Sequence, residues 1–306
     1  MLRVLVPPTP TFFAKDMPDL TGRVVIVTGG NTGIGKETVK ALLEHNAKVY
    51  LAARSRAKAE AAIADLKTAT GKEAIFLELD LSSLASVRRA AEEFLSKEHE
   101  LHVLFNNAGV MWCPLDQFTT EGYDMQWGTN VVGHFFLTEL LVLALAAGAK
   151  TSPDGHARVV TTSSSGAYFA SGLQWETFKA HPNRHKMGPK ALYFQSKLGN
   201  AIVAREGARR YGDKSILCYA VDPGSIKTEL QRHASAFEKF AMRYLLYPAP
   251  YGALTQLWAG VMPETLQLNG EFLVPYARLG RCRAEMYDPR LGEQLWTHLK
   301  EQVKDH

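Results

Sequence analysis

The 306-residue sequence has only three cysteines, Cys113, Cys218 and Cys282, widely spaced and without a CxxC pair. That odd, scattered set offers neither a disulfide framework nor a zinc site, and it fits a reducing, cytoplasmic setting in which no metal is expected. Charge of one sign is also scarce: 35 basic against 31 acidic residues leave +4, and the basic residues form no run. Nucleic acid is therefore not an expected partner. Long apolar runs are few. Residues 2–6 stop at Pro7-Pro8, short of a signal-peptide core, and residues 135–149 are broken by Thr138 and Glu139. The second stretch reads as a buried helix, too short to span a membrane. Internal repeats, low-complexity tracts and a second-domain boundary are missing as well.

What is present is a regular alternation of two periods. Strands are expected at 24–27, 49–52, 75–79, 102–105, 159–162, 216–221 and 271–274. Helices are expected at 37–43, 57–66, 84–95, 135–145, 191–210 and 292–303. Such alternation calls for an α/β fold, a doubly wound parallel sheet with helices on both faces. With 46% hydrophobic residues, one domain over 21–306 suffices, preceded by an extended arm over 1–20 that carries Pro7, Pro8, Pro10 and Pro18.

Directly after the first strand comes Thr28-Gly29-Gly30-Asn31-Thr32-Gly33-Ile34-Gly35. Glycines there allow a sharp turn and a close approach of backbone to a pyrophosphate, with the amides of the next helix facing the anion. The TGxxxGxG spacing is not GxGxxG, and the GK[ST] end of a P-loop is lacking. A glycine-rich turn alone is equally a tight connection; its place at a strand-to-helix junction favours the dinucleotide reading. At the end of the second strand no acid is present: the chain reads Ala52-Ala53-Arg54-Ser55-Arg56, with Lys58 beyond. Arg54 suits a bidentate pair with a 2′-phosphate, Ser55 a hydroxyl contact and Lys58 added positive field, which together favour NADP(H) over NAD. A basic solvated loop is the plainer alternative.

With these features the chain resembles the short-chain dehydrogenases/reductases over roughly residues 20–273, and among them the retinol-dehydrogenase-like fungal members. Asp80-Leu81, Asn106-Asn107-Ala108-Gly109, Asn130, Tyr193-Phe194-Gln195-Ser196-Lys197 and Pro223-Gly224 carry the resemblance, in the family's order. It implies a Rossmann-type fold and an oxidoreductase that moves a hydride between the nicotinamide and a carbonyl or alcohol carbon. Asp80 and Leu81 would meet the adenine, Asn107, Ala108 and Gly109 would line the adenosine side, and Pro223, Gly224, Ile226 and Thr228 would close on the carboxamide. Asp80 and Asn107 also suit plain turns.

Tyr193 and Lys197, at i and i+4, share one helix face. Carbonyl reduction needs a proton donor as negative charge grows on oxygen, and an ammonium nearby tunes the phenol while holding the nicotinamide ribose. Among this chain's tyrosines only Tyr193 has a lysine four residues on. The resemblance selects Ser164 from Thr161-Thr162-Ser163-Ser164-Ser165 as the hydroxyl on the reacting oxygen. It gives Asn130 a water that links Lys197 to solvent; satisfying a backbone carbonyl is the plainer alternative. One departure stands out. Ser164 and Tyr193 lie 29 positions apart, about twice the spacing of compact members, and the extra segment near 173–187 is expected as a loop by the pocket.

The segment near 230–251 carries Phe237, Phe240, Met242, Tyr244, Leu245, Leu246 and Tyr247, suited to a mobile apolar lid. With Met111, Trp112 and Trp175 nearby it suggests a lipophilic substrate: retinoid-, terpenoid- or polyketide-like, of the kind met in secondary metabolism. A helical pair in a dimer interface and peripheral membrane docking are the alternatives for that segment. A homo-oligomer is expected through the long apolar helices. Two other functions compete: a silent dinucleotide-binding sensor or scaffold, and a sugar-nucleotide epimerase of the extended family. The first would usually have lost a catalytic residue; the second usually carries TGxxGxxG.

Overall fold

In the computed structural model, which describes residues 7–227 and 246–306, the uninterrupted apolar runs become strands buried on both faces. Strands β1 (Val24–Thr28), β2 (Lys48–Ala53), β3 (Ile75–Glu78), β4 (Val103–Asn106), β5 (Ala157–Thr162), β6 (Ile216–Val221) and β7 (Phe272–Val274) are parallel, and β8 (Arg278–Leu279) ends the sheet antiparallel to β7. Their order is β3-β2-β1-β4-β5-β6-β7-β8. The chain moves outward from β1 through β2 to β3, then returns to β4 on the other side of β1. That reversal opens a crevice at the carboxyl ends of β1 and β4.

Seven helices cover the sheet among the described residues: α1 (Gly33–Glu44), α2 (Arg56–Thr70), α3 (Leu84–Leu95), α4 (Met125–Thr151), α5 (Asn183–Tyr211), α6 (Ala249–Val261) and α7 (Pro289–Val303). Successive strand side chains point to opposite faces, so two cores form. Ile26, Tyr50, Leu104 and Val159 pack with α3, α4, α5 and α7. Val25, Leu51, Phe105 and Val160 pack with α1, α2 and α6, and Phe12, Met17 and Leu20 of the amino-terminal arm are buried in the same core.

Strand β8 was not expected, α1 begins at Gly33 rather than 37, and three further helices differ more. The helix placed at 135–145 runs continuously from Met125, because Asp124 caps it further upstream by accepting from the amides of Gln126 and Trp127, each at 3.0 Å. Its 27 residues are long and apolar enough to cross a membrane, but 67% of its most apolar window is buried within the fold. The helix at 191–210 begins at Asn183 and bends at Gly188, φ 74°, ahead of Pro189. The supposed loop at 173–187 is thus largely a short 3₁₀ turn, Trp175–Phe178, and the first turns of α5. Helix α6 was hidden in the sequence because residues 252–261 are buried all round and leave no amphipathic stripe. Most of the expected lid, with Thr228, lies outside the described residues.

Candidate active site

Thr28 at the end of β1 organises the turn that follows. The amides of Asn107 and Ala108 both donate to its hydroxyl at 2.9 Å, and Asn107 Nδ2 donates to its carbonyl at 2.8 Å. These bonds tie the end of β4 to the glycine turn. Gly29 takes φ 67°, and a Cβ at Gly35 would strike the Gly29 carbonyl oxygen and approach Asn107 Nδ2 to 2.7 Å, so bare backbone is required there. Thr32, the N-cap of α1, makes no side-chain capping bond. The first amides of α1 therefore remain open at the positive end of the helix, a ready anion site.

A cleft of about 870 Å³ runs over this turn. Gly29, Asn31, Thr32, Gly33, Ile34, Gly35, Arg54, Ser55, Lys58, Asp80, Leu81, Asn107, Ala108 and Gly109 line it, and so do Ser164, Tyr193, Lys197, Pro223, Gly224 and Ile226. Asn130 does not. Arg54 is exposed and makes no hydrogen bond or ion pair among the described residues, whereas its neighbour Arg56 lies 3.7 Å from Glu60 and 3.5 Å from Glu78. An acid not anticipated from the sequence, Asp65, reaches the cleft from α2, but Lys36 neutralises it at 2.7 Å. Asp80 Oδ1 accepts from the amide and hydroxyl of Ser82 at 2.9 and 2.6 Å.

Tyr193 and Lys197 lie one turn apart on α5, both buried. The Ser164 hydroxyl lies beside the Tyr193 phenol and accepts from the Gly166 amide at 3.0 Å. Ser163 points elsewhere, and its hydroxyl donates to the Lys197 carbonyl at 2.7 Å. Lys197 Nζ donates to the Thr162 carbonyl at 2.9 Å and sits 5.8 Å from the centre of the Tyr193 ring.

Burial holds the Tyr193 phenol well above the usual tyrosine range; the neighbouring Ser164 hydroxyl pulls it down and the charge of Asp222 adds to the rise. The expected lowering by Lys197 is overridden, since burial depresses that ammonium to about 8 while Asp222 supports it. Asp222, which the sequence did not single out, stands at the end of β6, where burial raises its carboxyl to about 6 against the bond from the Gly224 amide and the charge of Lys197.

Asn130 sits in a π-helical turn of α4, Gly128–Val132, and is fully buried. Its Oδ1 accepts from the Val110 amide at 2.9 Å, and its Nδ2 donates to the Val110 carbonyl and to Ser196 Oγ, both at 3.0 Å. The side chain thus braces the backbone that follows Gly109, the plainer of its two expected roles. Its carbonyl lies 3.0 Å from His134 Nδ1, and His134 Nε2 lies 2.9 Å from Thr28 Oγ1.

Met111 and Trp112 line the cleft, together with Met125, Phe169, Phe194 and Leu246. Trp175 does not: it packs 5.5 Å from Phe178 and 5.4 Å from His298, because the 3₁₀ turn carries it toward α7. Trp112 takes φ 55°, and Gln126 holds it by accepting from its amide at 2.7 Å while donating to the Pro189 carbonyl at 3.0 Å. Gln126 had no recognisable signal in sequence, because its partners are backbone groups far along the chain.

An open helix terminus after a glycine turn, at the reversal of a doubly wound sheet, defines a dinucleotide-binding α/β protein. The family described as short chain dehydrogenase matches residues 23–179. A short-chain dehydrogenase/reductase of Armillaria gallica is 57% identical over 306 residues, covering 100% of this chain and 98% of the relative. One from Neocamarosporium betae is 38% identical, covering 98% and 92%. Among solved structures, an uncharacterized protein from Mycobacterium paratuberculosis superposes with a TM-score of 0.71 at 28% identity, covering 96% of this chain and 97% of that one. RhlG of Pseudomonas aeruginosa, solved as an active-site complex with NADP, gives 0.66 at 26%, covering 85% and 96%. The chain belongs to the short-chain dehydrogenase/reductase family of oxidoreductases.

Proposed function

We propose that this protein is an NADPH-dependent reductase of lipophilic aldehydes or ketones, able to run in reverse on the corresponding alcohols. The observation that carries the reading is the meeting of Ser164, Tyr193 and Lys197 in the cleft that also holds the glycine cradle. When bound, the nicotinamide supplies the hydride. Tyr193, kept protonated by burial, delivers the proton to the developing alkoxide, and Ser164 donates to the same oxygen. Lys197 supplies positive charge beside the phenol and binds the ribose, while Asn130 braces the backbone at Val110. The open amides of α1 take the pyrophosphate, and Asp80 takes the adenine edge.

The choice of NADPH rests on Arg54, whose guanidinium has no other partner among the described residues, and on the neutralised Asp65; the NADP complex of RhlG is consistent with it. Lipophilic substrates are favoured by the Met111, Trp112, Met125, Phe169 and Phe194 lining.

NADPH oxidation by purified protein is followed against carbonyls from small ketones to retinal-like and terpenoid aldehydes, with Tyr193→Phe as control. Turnover that favours the apolar end and vanishes in the variant is expected. Arg54→Asp is expected to reverse the preference between NADPH and NADH; equal efficiency of wild-type protein with both cofactors counts against the assignment.

A further inference from the structure

Residues 107–110, which follow β4 and line the cleft, are gripped at both ends. At one end the Thr28 hydroxyl accepts from the Asn107 and Ala108 amides, each at 2.9 Å. At the other, the Asn130 side chain accepts from the Val110 amide at 2.9 Å and donates to the Val110 carbonyl at 3.0 Å. His134, one helical turn beyond Asn130 on α4, touches both grips. Its Nδ1 lies 3.0 Å from the Asn130 carbonyl oxygen and its Nε2 lies 2.9 Å from Thr28 Oγ1. Thr28, Asn130 and His134 are each no more than 2% exposed, so their polar atoms depend on these partners rather than on bulk water.

Donors and acceptors around the ring fix its state. A carbonyl oxygen only accepts, so Nδ1 carries a proton. The Thr28 oxygen has two lone pairs, and the two amides occupy both. Its own proton therefore goes to His134 Nε2 at 2.9 Å or to the Phe105 carbonyl at 3.2 Å. A protonated Nε2 would set a third N–H against an oxygen already fully engaged, so Nε2 is the acceptor and the ring is neutral. Burial supports the same state, holding the imidazole near 4 instead of its ordinary 6.5.

We propose that His134 is a positioning residue of the cofactor site. As the neutral Nδ1–H tautomer it orients the Thr28 hydroxyl so that both lone pairs face the Asn107 and Ala108 amides, and it ties that grip to the one Asn130 holds on Val110. Its part is direction rather than bulk. Without an acceptor at Nε2 the threonine proton turns to the longer Phe105 bond and the lone pairs turn with it, so the backbone from Asn107 to Val110 loses its fixed spacing from the glycine turn after β1. The proposal rests on the dinucleotide reading of the cleft for its consequence in binding; the tautomer and the link are properties of the chain itself.

Two substitutions in the full-length chain separate the link from mere packing. His134→Gln carries an amide oxygen at the reach of Nε2 and still accepts from Thr28, whereas His134→Asn carries its amide at the reach of Nδ1, keeps the donor to Asn130 and loses the link. NADPH binding is read by fluorescence titration of folded protein, which a loss of stability alone does not move. His134→Asn is expected to bind NADPH about tenfold more weakly, the worth of one buried hydrogen bond, and His134→Gln to restore most of the wild-type affinity. A folded His134→Asn that binds as wild type does, or a His134→Gln that binds as weakly as His134→Asn, overturns the proposal. Should the variants not fold, nitrogen-15 NMR of histidine-labelled wild type near neutral pH, assigned by through-bond correlation to the backbone, is expected to show His134 protonated at Nδ1 alone. A proton on Nε2 overturns the proposal. If wild-type protein binds no dinucleotide while His134 shows the expected tautomer, the cofactor reading fails and the link within the chain stands.

Discussion

At the scale of single residues, the proposed reaction turns on Tyr193, whose phenol burial holds above the ordinary range, and on Lys197, whose ammonium burial depresses. Tyr193→Phe is expected to lower kcat by about 10²–10⁴-fold, the usual worth of a positioned general acid, with NADPH binding retained by fluorescence titration. Ser164→Ala should cost roughly 10²–10³-fold, since it removes a donor to the developing charge. Because the Lys197 ammonium is depressed to about 8, reductive kcat/KM should fall as pH rises through that value, and a flat profile across it would contradict the role given to Lys197. His134 makes a separate prediction. Burial holds it near 4, below the ordinary 6.5, so on acidification the unfolded chain takes up the proton first. Its contribution to stability is complete above about 6.5 and is lost as pH falls toward about 4. Asp222 slopes the other way, from its ordinary 3.8 up to about 6, so urea melts of His134→Gln against wild type isolate the histidine. Tyr193, Lys197 and Ser164 were picked out by the resemblance to the family, because a tyrosine and a lysine four apart is by itself a common chance match. Asp222 was not, because a lone aspartate before Pro-Gly reads as a turn residue until its burial is seen.

Among elements, the segment between Ser164 and Tyr193 matters most. It is anchored by a buried ion pair, Arg184 to Asp124 at 2.8 Å, with Arg184 also donating to the Leu115 carbonyl at 2.9 Å, and by Phe178 stacked on Trp127 at 3.6 Å. Removing one partner of such a pair typically costs about 3–5 kcal/mol, because the other charge stays buried alone. Arg184→Met should therefore lower the melting temperature. It should also raise KM for bulky carbonyls more than for small ones, since Gln126 links this region to Trp112. A variant with unchanged KM across the panel would separate the segment from the pocket. Strands were readable from β-branched runs to within a residue or two, as at β1 and β6. The start of α4 and the first turns of α5 were not, because an Asp124 cap and a Gly188-Pro189 bend act locally against the hydrophobic period.

For the whole molecule, α7 packs across the long helices α4 and α5. Trp296 packs 5.0 Å from Phe135 on α4 and 5.5 Å from Tyr211 on α5, Lys300 pairs with Glu139 at 2.6 Å, and Tyr123 donates to Gln302 at 2.7 Å. Deleting residues 289–306 is expected to expose that apolar surface and produce aggregates or new oligomers in sedimentation runs; a monodisperse, equally stable truncation would contradict this. The doubly wound order was foreseeable from the alternation of elements, whereas the docking of α7 was not, since it depends on contacts between distant parts of the chain.

The central claim, direct hydride transfer to carbon, is tested by incubating the purified chain with NADPH deuterated at the transferable C4 position and the best apolar aldehyde of the panel. Deuterium is predicted at the carbinol carbon of the alcohol, lost with Tyr193→Phe. Nicotinamide oxidation that leaves no deuterium in the product, or equal product from the variant, would contradict it.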